Sequence, residues 1–158
     1  MDKLEILARF IELQEAKLQQ HHRAAGDAFK GATDSEVKSE SKYDTRAIEA
    51  SYLARGHALQ IDGLTQELHA LKNFQPALYQ PGQAIGLGSL VVLNSATETY
   101  AYYLLPACGG IDTTAIYDKI PIEVTGLTLD APIAQKLEGL TKGDKLAQPF
   151  NLAIVEVY

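Results

Sequence analysis

The fold of this chain follows from a repeat that begins in residues 4–28, LEILARFIELQEAKLQQHHRAAGDA. A second copy of the repeat occupies residues 43–71, YDTRAIEASYLARGHALQIDGLTQELHAL. Steps of three and four alternate along both segments, which is typical of a coiled-coil seam. The seam positions are Leu4, Leu7, Ile11, Gln14, Leu18, His21, Ala25 and Ala28, and then Tyr43, Ala47, Ala50, Ala54, His57, Ile61, Leu64, Leu68 and Leu71. Because the short polar loop 31–41 joins the segments, they predict an antiparallel hairpin of helices at 3–28 and 43–72.

Folding the two segments about this loop predicts which seam residues meet. The expected pairs are Leu7 with Leu64, Ile11 with Ile61, Leu18 with Ala54 and Gln14 with His57. A polar pair in a seam fixes the register at some cost in stability, although a pH-sensitive contact at His57 is an alternative interpretation. His21, His22 and His69 have no partner at metal-ligand spacing in the sequence, so no metal site is predicted among them.

After Pro76 the periodicity becomes that of strands. Strands are predicted at residues 89–94, 98–105, 120–124 and 151–158, with one helix at 130–139 for which Asp130 is the expected N-cap. The predicted fold class is α+β, an N-terminal antiparallel coiled-coil hairpin plus a C-terminal β-sheet domain with one short helix. We place the domains at residues 1–73 and 74–158 and expect the hairpin to project as a probe.

The composition excludes several classes of function. A net charge of −6 argues against binding of free duplex DNA, which needs a basic face. The sequence has no apolar run of the roughly 20 residues that cross a bilayer, and its first residues do not resemble a secretory signal. With one cysteine, Cys108, no internal disulfide can form. We therefore expect a cytoplasmic protein with no membrane partner.

Acidic residues cluster at the tip of the predicted hairpin. Glu36 and Glu40 lie in the loop, with Asp34 and Asp44 as further candidates. Crowded carboxylates can bind a hard cation such as Mg²⁺ when a partner supplies the remaining oxygen ligands. The alternative is a solvated loop in which acids and lysines keep the tip soluble. No cofactor is expected on the chain alone.

Residues 131–144, APIAQKLEGLTKGD, resemble a run found in the bacterial Gre transcript cleavage factors, which are elongation factors that bind RNA polymerase. The family's run reads Ser-Pro-Ile-Gly/Ala-x-x-Leu-x-Gly-Lys-x-x-Gly-Asp. The residues in register are Pro132, Ile133, Leu137, Gly139, Gly143 and Asp144. Residues 85–92, 120–124 and 154–158 resemble strands of the same domain, so the resemblance extends over nearly the whole chain.

This resemblance implies a C-terminal domain of FKBP-like fold that docks on the rim of the secondary channel of RNA polymerase. Pro132, Ile133, Leu137 and Asp144 would then contribute to partner binding. The hairpin would enter the channel, and Glu36 and Glu40 would help hold a Mg²⁺ ion near the 3′ end of the nascent RNA. The chain itself would be an accessory factor and not an enzyme, since it lends carboxylates to the polymerase active site.

The tip departs from the family pattern. Ser39 stands where the second acid is expected, Glu40 is displaced by one residue, and Lys42 replaces the acid before Tyr43. These changes affect cleavage more than docking, so a non-cleaving inhibitor that binds the channel is one alternative. An FKBP-like peptidyl-prolyl isomerase or chaperone, and a plain coiled-coil adaptor, are the others.

Overall fold

The computed structural model describes residues 1–33, 45–146 and 151–158, except for the side chains of residues 31–33, 45–47 and 50. Two long helices come first, α1 at Lys3–Thr33 and α2 at Thr45–Lys72. The remaining elements are β1 (Leu90–Asn94), β2 (Thr99–Leu104), β3 (Asp112–Tyr117), β4 (Ile120–Leu127), α3 (Pro132–Leu137), β5 (Lys145–Leu146) and β6 (Leu152–Val157). The predicted fold class, a helical hairpin followed by a β-sheet domain with a short helix, is confirmed.

The chain forms two compact units. One consists of Leu13–Leu68, which we call the hairpin unit, and the other of Met1–Glu12 with His69–Tyr158, which we call the sheet unit. The start of α1 and the end of α2 therefore belong to the sheet unit. The predicted domain boundary after residue 73 concerns independent folding and stays a prediction, as does the projection of the hairpin.

The sheet is mixed and has six strands in the order β3-β4-β2-β1-β6-β5. β2 pairs with β4 in parallel, and the other neighbours are antiparallel. The strands predicted at 89–94, 98–105, 120–124 and 151–158 correspond to β1, β2, β4 and β6. The sequence prediction missed β3 and β5. Asp118 and Lys119 form the two-residue turn between β3 and β4, and both have positive φ, as the twist of a tight hairpin requires.

Both faces of the sheet are covered within the sheet unit. One face carries a core cluster that includes Phe10 from α1, Leu71 from α2 and Tyr103 from β2. The other face packs against α3 through Ala134 and Leu137. β1 is buried on both faces, which explains its continuous apolar sequence.

Lys3 ties the beginning of the chain to the sheet unit. Its Nζ donates hydrogen bonds to the carbonyl oxygens of Ala77 and, at 2.9 Å, of Gly88. The side chain is largely buried, and this desolvation lowers the pKa of Lys3. No helix in the described part of the chain is long and apolar enough to cross a membrane.

Candidate functional site

The segment that resembles the Gre run folds as α3 and the turn that follows it. Pro132 occupies the first turn of α3, where its missing N–H costs no intrahelical hydrogen bond. The predicted N-cap, Asp130, is wrong, because the cap residue is Ala131 and no side chain caps the helix. A residue that precedes proline favours extended backbone, and Ala131 has φ −64 and ψ 136. Burial of Ala134 and Leu137, both 0% exposed, therefore holds this short helix in place.

Two glycines shape the turn after α3. Gly139 has a φ of +82 and Gly143 a φ of +98, a region that side chains disfavour. The N–H of Gly139 donates to the carbonyl of Ile85 at 2.9 Å, and the N–H of Ile85 donates to Leu140 at 2.7 Å. The N–H of Gly143 donates to Ile154 at 2.9 Å. The turn is thus fixed to the sheet unit at two points by its backbone.

Charged side chains stabilise this turn on its exposed side. The carboxylate of Asp144 accepts hydrogen bonds from the N–H of Thr141 at 2.8 Å and from its hydroxyl at 3.0 Å. Lys142 forms a 2.7 Å ion pair with Glu156, and the hydrogen bond to Glu156 raises the pKa of Lys142. Asp144 therefore has a structural task in the turn.

The four residues predicted to bind a partner lie on one short segment but differ in exposure. Pro132 and Asp144 are exposed, and Ile133 is partly buried. Leu137 is 0% exposed, so its side chain lies in the core. Any effect of Leu137 on partner binding would be indirect, through the position of α3. The role of these residues in partner binding stays a prediction.

The predicted tip acids, Glu36 and Glu40, lie outside the described residues, as do Asp34 and Asp44. Their role as Mg²⁺ ligands therefore also stays a prediction. Within residues 1–33, 45–146 and 151–158, no three histidine, cysteine or acidic side chains are grouped so that they could hold a metal ion.

Burial confirms most of the predicted coiled-coil seam. Leu4 is the exception: it is 62% exposed, because Ile6, Leu7 and Phe10 provide the buried face at the start of α1. Tyr43 and the side chains of Ala47 and Ala50 lie outside the described residues. In α1 the less exposed positions include residues 7, 11, 14, 18, 21, 25 and 28, and in α2 they include residues 54, 57, 61, 64, 68 and 71. Gln14 is 0% exposed, and Leu64 is 5% exposed. The faces that the two helices present to each other were therefore predicted correctly.

The register between the helices differs from the prediction by one heptad. His57 contacts His21 instead of Gln14, with the two Nδ1 atoms 3.5 Å apart. Gln14 instead donates from Nε2 to the carboxylate of Glu67 at 2.5 Å. The predicted pair of Gln14 with His57, and the pairs in the same register, are thus wrong. The physical reason is that α1 ends at Thr33 and α2 begins at Thr45, so both helix boundaries lie later in the chain than the sequence indicated.

A second surface of the hairpin unit was not predicted. Ile48, Tyr52 and Leu59 on α2 are 55%, 72% and 65% exposed. Their spacing of four and seven residues puts them on one face of α2, which we call the α2 stripe. The signal was present in the sequence as apolar residues between seam positions. Exposed apolar side chains that share a face are typical of interaction sites.

Solved structures similar to this chain include the GreA factor homolog 1 (Gfh1) protein of Thermus thermophilus, with 20% identity, a TM-score of 0.36 and coverage of 94% of both chains. Another structure, of the transcription factor Gfh1, has 19% identity, a TM-score of 0.36 and coverage of 94% of this chain and 92% of that chain. Gfh1 of Thermus aquaticus has 20% identity, a TM-score of 0.33 and coverage of 93% and 92%. No protein-family model matches the chain, and no curated protein matches it by sequence.

Proposed function

We propose that this chain is a Gre-like regulator of transcription elongation that binds RNA polymerase and inserts its helical hairpin into the secondary channel. The observation that supports it most is the combination, in one chain, of an antiparallel hairpin with the segment 131–144 folded as an exposed helix and turn. The first element suits entry into a channel, and the second suits docking. The resemblance of residues 131–144 to the Gre run supplies the identity of the partner.

The surfaces of the two units support binding to a protein. Pro132 is exposed and Ile133 partly exposed on the sheet unit, which also carries the Lys142–Glu156 ion pair on its surface. The α2 stripe presents apolar side chains on the hairpin unit. Protein interfaces combine apolar side chains with polar and charged ones, and both kinds are present on these surfaces.

At the tip, we propose that Glu36 and Glu40 supply oxygen ligands to a Mg²⁺ ion within the polymerase complex, beside the 3′ end of the RNA. This step rests on the resemblance. Lys38 and Lys42 lie next to these acids in the sequence and oppose cation binding. We therefore expect weak stimulation of RNA cleavage. The alternative is an inhibitor that binds the channel and does not stimulate cleavage.

A peptidyl-prolyl isomerase is less well supported. Such an enzyme needs a pocket lined by aromatic side chains. Tyr103 is 0% exposed in the core, whereas Tyr100 and Tyr102 stack on each other with centroids 6.5 Å apart. These three tyrosines of β2 therefore do not form one pocket.

Binding can be tested by pull-down of core RNA polymerase with the full chain. We expect wild type to bind and Ile133→Ser to bind several-fold more weakly. Because Ile133 packs partly against the core, the variant should also melt at a somewhat lower temperature, so binding is compared at a temperature at which circular dichroism shows it folded. Ile116→Ser is the matched control, because Ile116 is an isoleucine with 62% exposure on the edge strand β3. Absence of binding by wild type would refute the proposed function.

The α2 stripe can be tested in the same assay. The variant Ile48→Ser/Tyr52→Ser/Leu59→Ser should lose affinity, and Gln60→Ser/Gln66→Ser, which changes exposed polar positions of the same helix, should not. Equal affinity of both variants would exclude this stripe from the interface.

Cleavage can be tested on stalled elongation complexes with wild type, Glu36→Ala and Glu40→Ala. If wild type stimulates cleavage, each variant should slow it without loss of binding. If wild type does not cleave but competes with a genuine cleavage factor, the chain is a channel-binding inhibitor. Full cleavage by both variants would show that these acids are not metal ligands.

A further inference from the structure

Two histidines from different helices meet in the seam of the hairpin unit. The Nδ1 atoms of His21 on α1 and His57 on α2 are 3.5 Å apart, and the ring centroids are 5.7 Å apart at an interplanar angle of 60°. Both side chains are partly buried. The contact exists only in the observed register, so the sequence prediction of no metal site among the histidines could not take it into account.

The distance between the two nitrogens is informative. A direct hydrogen bond from a ring N–H is normally no longer than about 3.2 Å, so this contact is a poor hydrogen bond. Two nitrogen ligands at about 2.0–2.1 Å from one tetrahedral Zn²⁺ ion are themselves about 3.4 Å apart. The observed distance of 3.5 Å between the two Nδ1 atoms is therefore close to the distance between two ligands of one Zn²⁺ ion.

We propose that His21 and His57 bind one divalent metal ion of the Zn²⁺, Ni²⁺ and Cu²⁺ class through their Nδ1 atoms. Imidazole nitrogen is a preferred ligand of these ions, whereas Mg²⁺ prefers oxygen. Each ring keeps its proton on Nε2 when Nδ1 binds the metal. This inference does not depend on the proposed function.

The surroundings leave the other coordination positions to water. No third histidine, cysteine or carboxylate joins the pair among the residues that the structure describes. The next seam positions towards the loop are Ala25 and Ala54, whose side chains carry no ligand atoms. A site with two protein ligands binds more weakly than a closed structural zinc site, which has four.

The ion would join α1 to α2 and fix the register of the hairpin. Because the two ligands come together only in the folded hairpin, metal binding stabilises the folded state. The His21–His57 contact belongs to the observed register and would be lost if one helix shifted by a heptad along the other. The metal therefore selects the observed register.

The test is thermal unfolding of the full chain, followed by circular dichroism, with ZnCl₂, NiCl₂ or MgCl₂. We expect Zn²⁺ or Ni²⁺ to raise the melting temperature by several degrees, EDTA to reverse the rise, and Mg²⁺ to have no such effect. His21→Gln and His57→Gln should each abolish the rise. His22→Gln and His69→Gln are matched controls on the same helices, exposed in the structure, and should retain it.

Nuclear magnetic resonance of the histidine rings gives a second measurement that does not depend on the stability of any variant. On addition of Zn²⁺ to wild type, the Nδ1 resonances of His21 and His57 should shift, and those of His69 should not. No rise in melting temperature, an equal rise in His21→Gln/His57→Gln, or equal shifts of all four histidines would each refute the site.

Discussion

The hairpin unit and the sheet unit bury their side chains in different ways. In the sheet unit, the core consists of tightly packed aliphatic and aromatic residues, and many of them, such as Phe10, Leu71 and Leu137, are 0% exposed. In the hairpin unit, the seam includes Gln14, His21 and His57, and positions nearer the loop are alanines. Shape complementarity therefore fixes the sheet unit, whereas a few polar contacts distinguish one hairpin register from another.

A heptad repeat explains why the hairpin register is weakly specified. Sliding one helix along the other by seven residues keeps every seam position on the seam and changes only the partner. In a sheet with buried faces, a slip of one residue moves every side chain to the wrong face. The sheet register is therefore strongly determined, and the hairpin register depends on loop length and on contacts such as His21–His57.

The largest expected effect is a disulfide that forms in one register only. Cysteines introduced as His21→Cys/His57→Cys should cross-link under mild oxidation, because these residues face each other. The pair Gln14→Cys/His57→Cys should not, because residues one heptad apart on a helix are separated by about 10 Å. Non-reducing electrophoresis measures both. Efficient cross-linking of the second pair alone would show that the hairpin has the other register.

In the sheet unit, Leu137→Ala should lower the free energy of unfolding by about 2–5 kcal/mol, since it leaves a cavity beneath α3. Urea denaturation measures the loss. Ile133→Ala, on the same helix but only partly buried, is the control and should cost less. Equal losses would mean that α3 does not pack as described.

Gly126→Ala should cost about 1–3 kcal/mol, because overpacking at a close contact is destabilising. A Cβ at this position would lie 2.7 Å from the carbonyl oxygen of Cys108 and 3.1 Å from the ring of Phe10. Gly86→Ala is the control, since its Cβ would meet no atom within 4 Å. We expect Gly86→Ala to leave the denaturation midpoint nearly unchanged, and an equal loss in both variants would contradict the close approach.

Each unit contains one buried oxygen without a hydrogen-bond partner among the described residues, Oε1 of Gln14 and Oη of Tyr103. Removing such an atom is neutral or stabilising by about 1 kcal/mol. Tyr103→Phe should therefore retain or gain stability. Gln14→Leu should gain stability too, although by less, because it also removes the hydrogen bond to Glu67. A loss of more than about 1 kcal/mol in the free energy of unfolding of Tyr103→Phe would show that the hydroxyl does have a hydrogen-bond partner.

The smallest effect concerns alkaline pH. Burial raises the pKa of Tyr103 in the folded state, with a further contribution from the charge of Asp2. The unfolded chain then releases this proton first, near pH 10, so the folded state binds more protons and loses stability as the pH rises further. Tyr103→Phe should show a shallower loss above pH 10 in urea denaturation. Identical pH profiles would contradict the burial of the phenol.

The core of the sheet unit also changes how docking should be tested. The fragment 74–158 lacks Phe10 and Leu71, which complete one layer of the core. Loss of binding by this fragment would reflect unfolding as much as a lost interface. Point variants of the full chain, such as Ile133→Ser, separate the two effects.

Elements with a local sequence pattern could be predicted from the amino-acid sequence. The heptad positions identified the seam, because residues seven positions apart lie on the same face of a helix. The apolar run at β1 and the alternation at β6 identified buried strands, and Gly139 marked the end of α3, where its φ is +82. The short helix predicted at 130–139 was also found, as α3, although its role in docking stays a prediction.

Features that depend on contacts between distant residues emerged from the three-dimensional fold. It set the hairpin register, placed His21 against His57, and buried Leu137, which the sequence had assigned to a partner. It also added β3 beside β4 and brought Phe10 and Leu71 into the sheet unit. The physical reason is that a periodic pattern specifies which face of an element is buried, whereas the partner of that face is chosen by chain connections and by packing of the whole core.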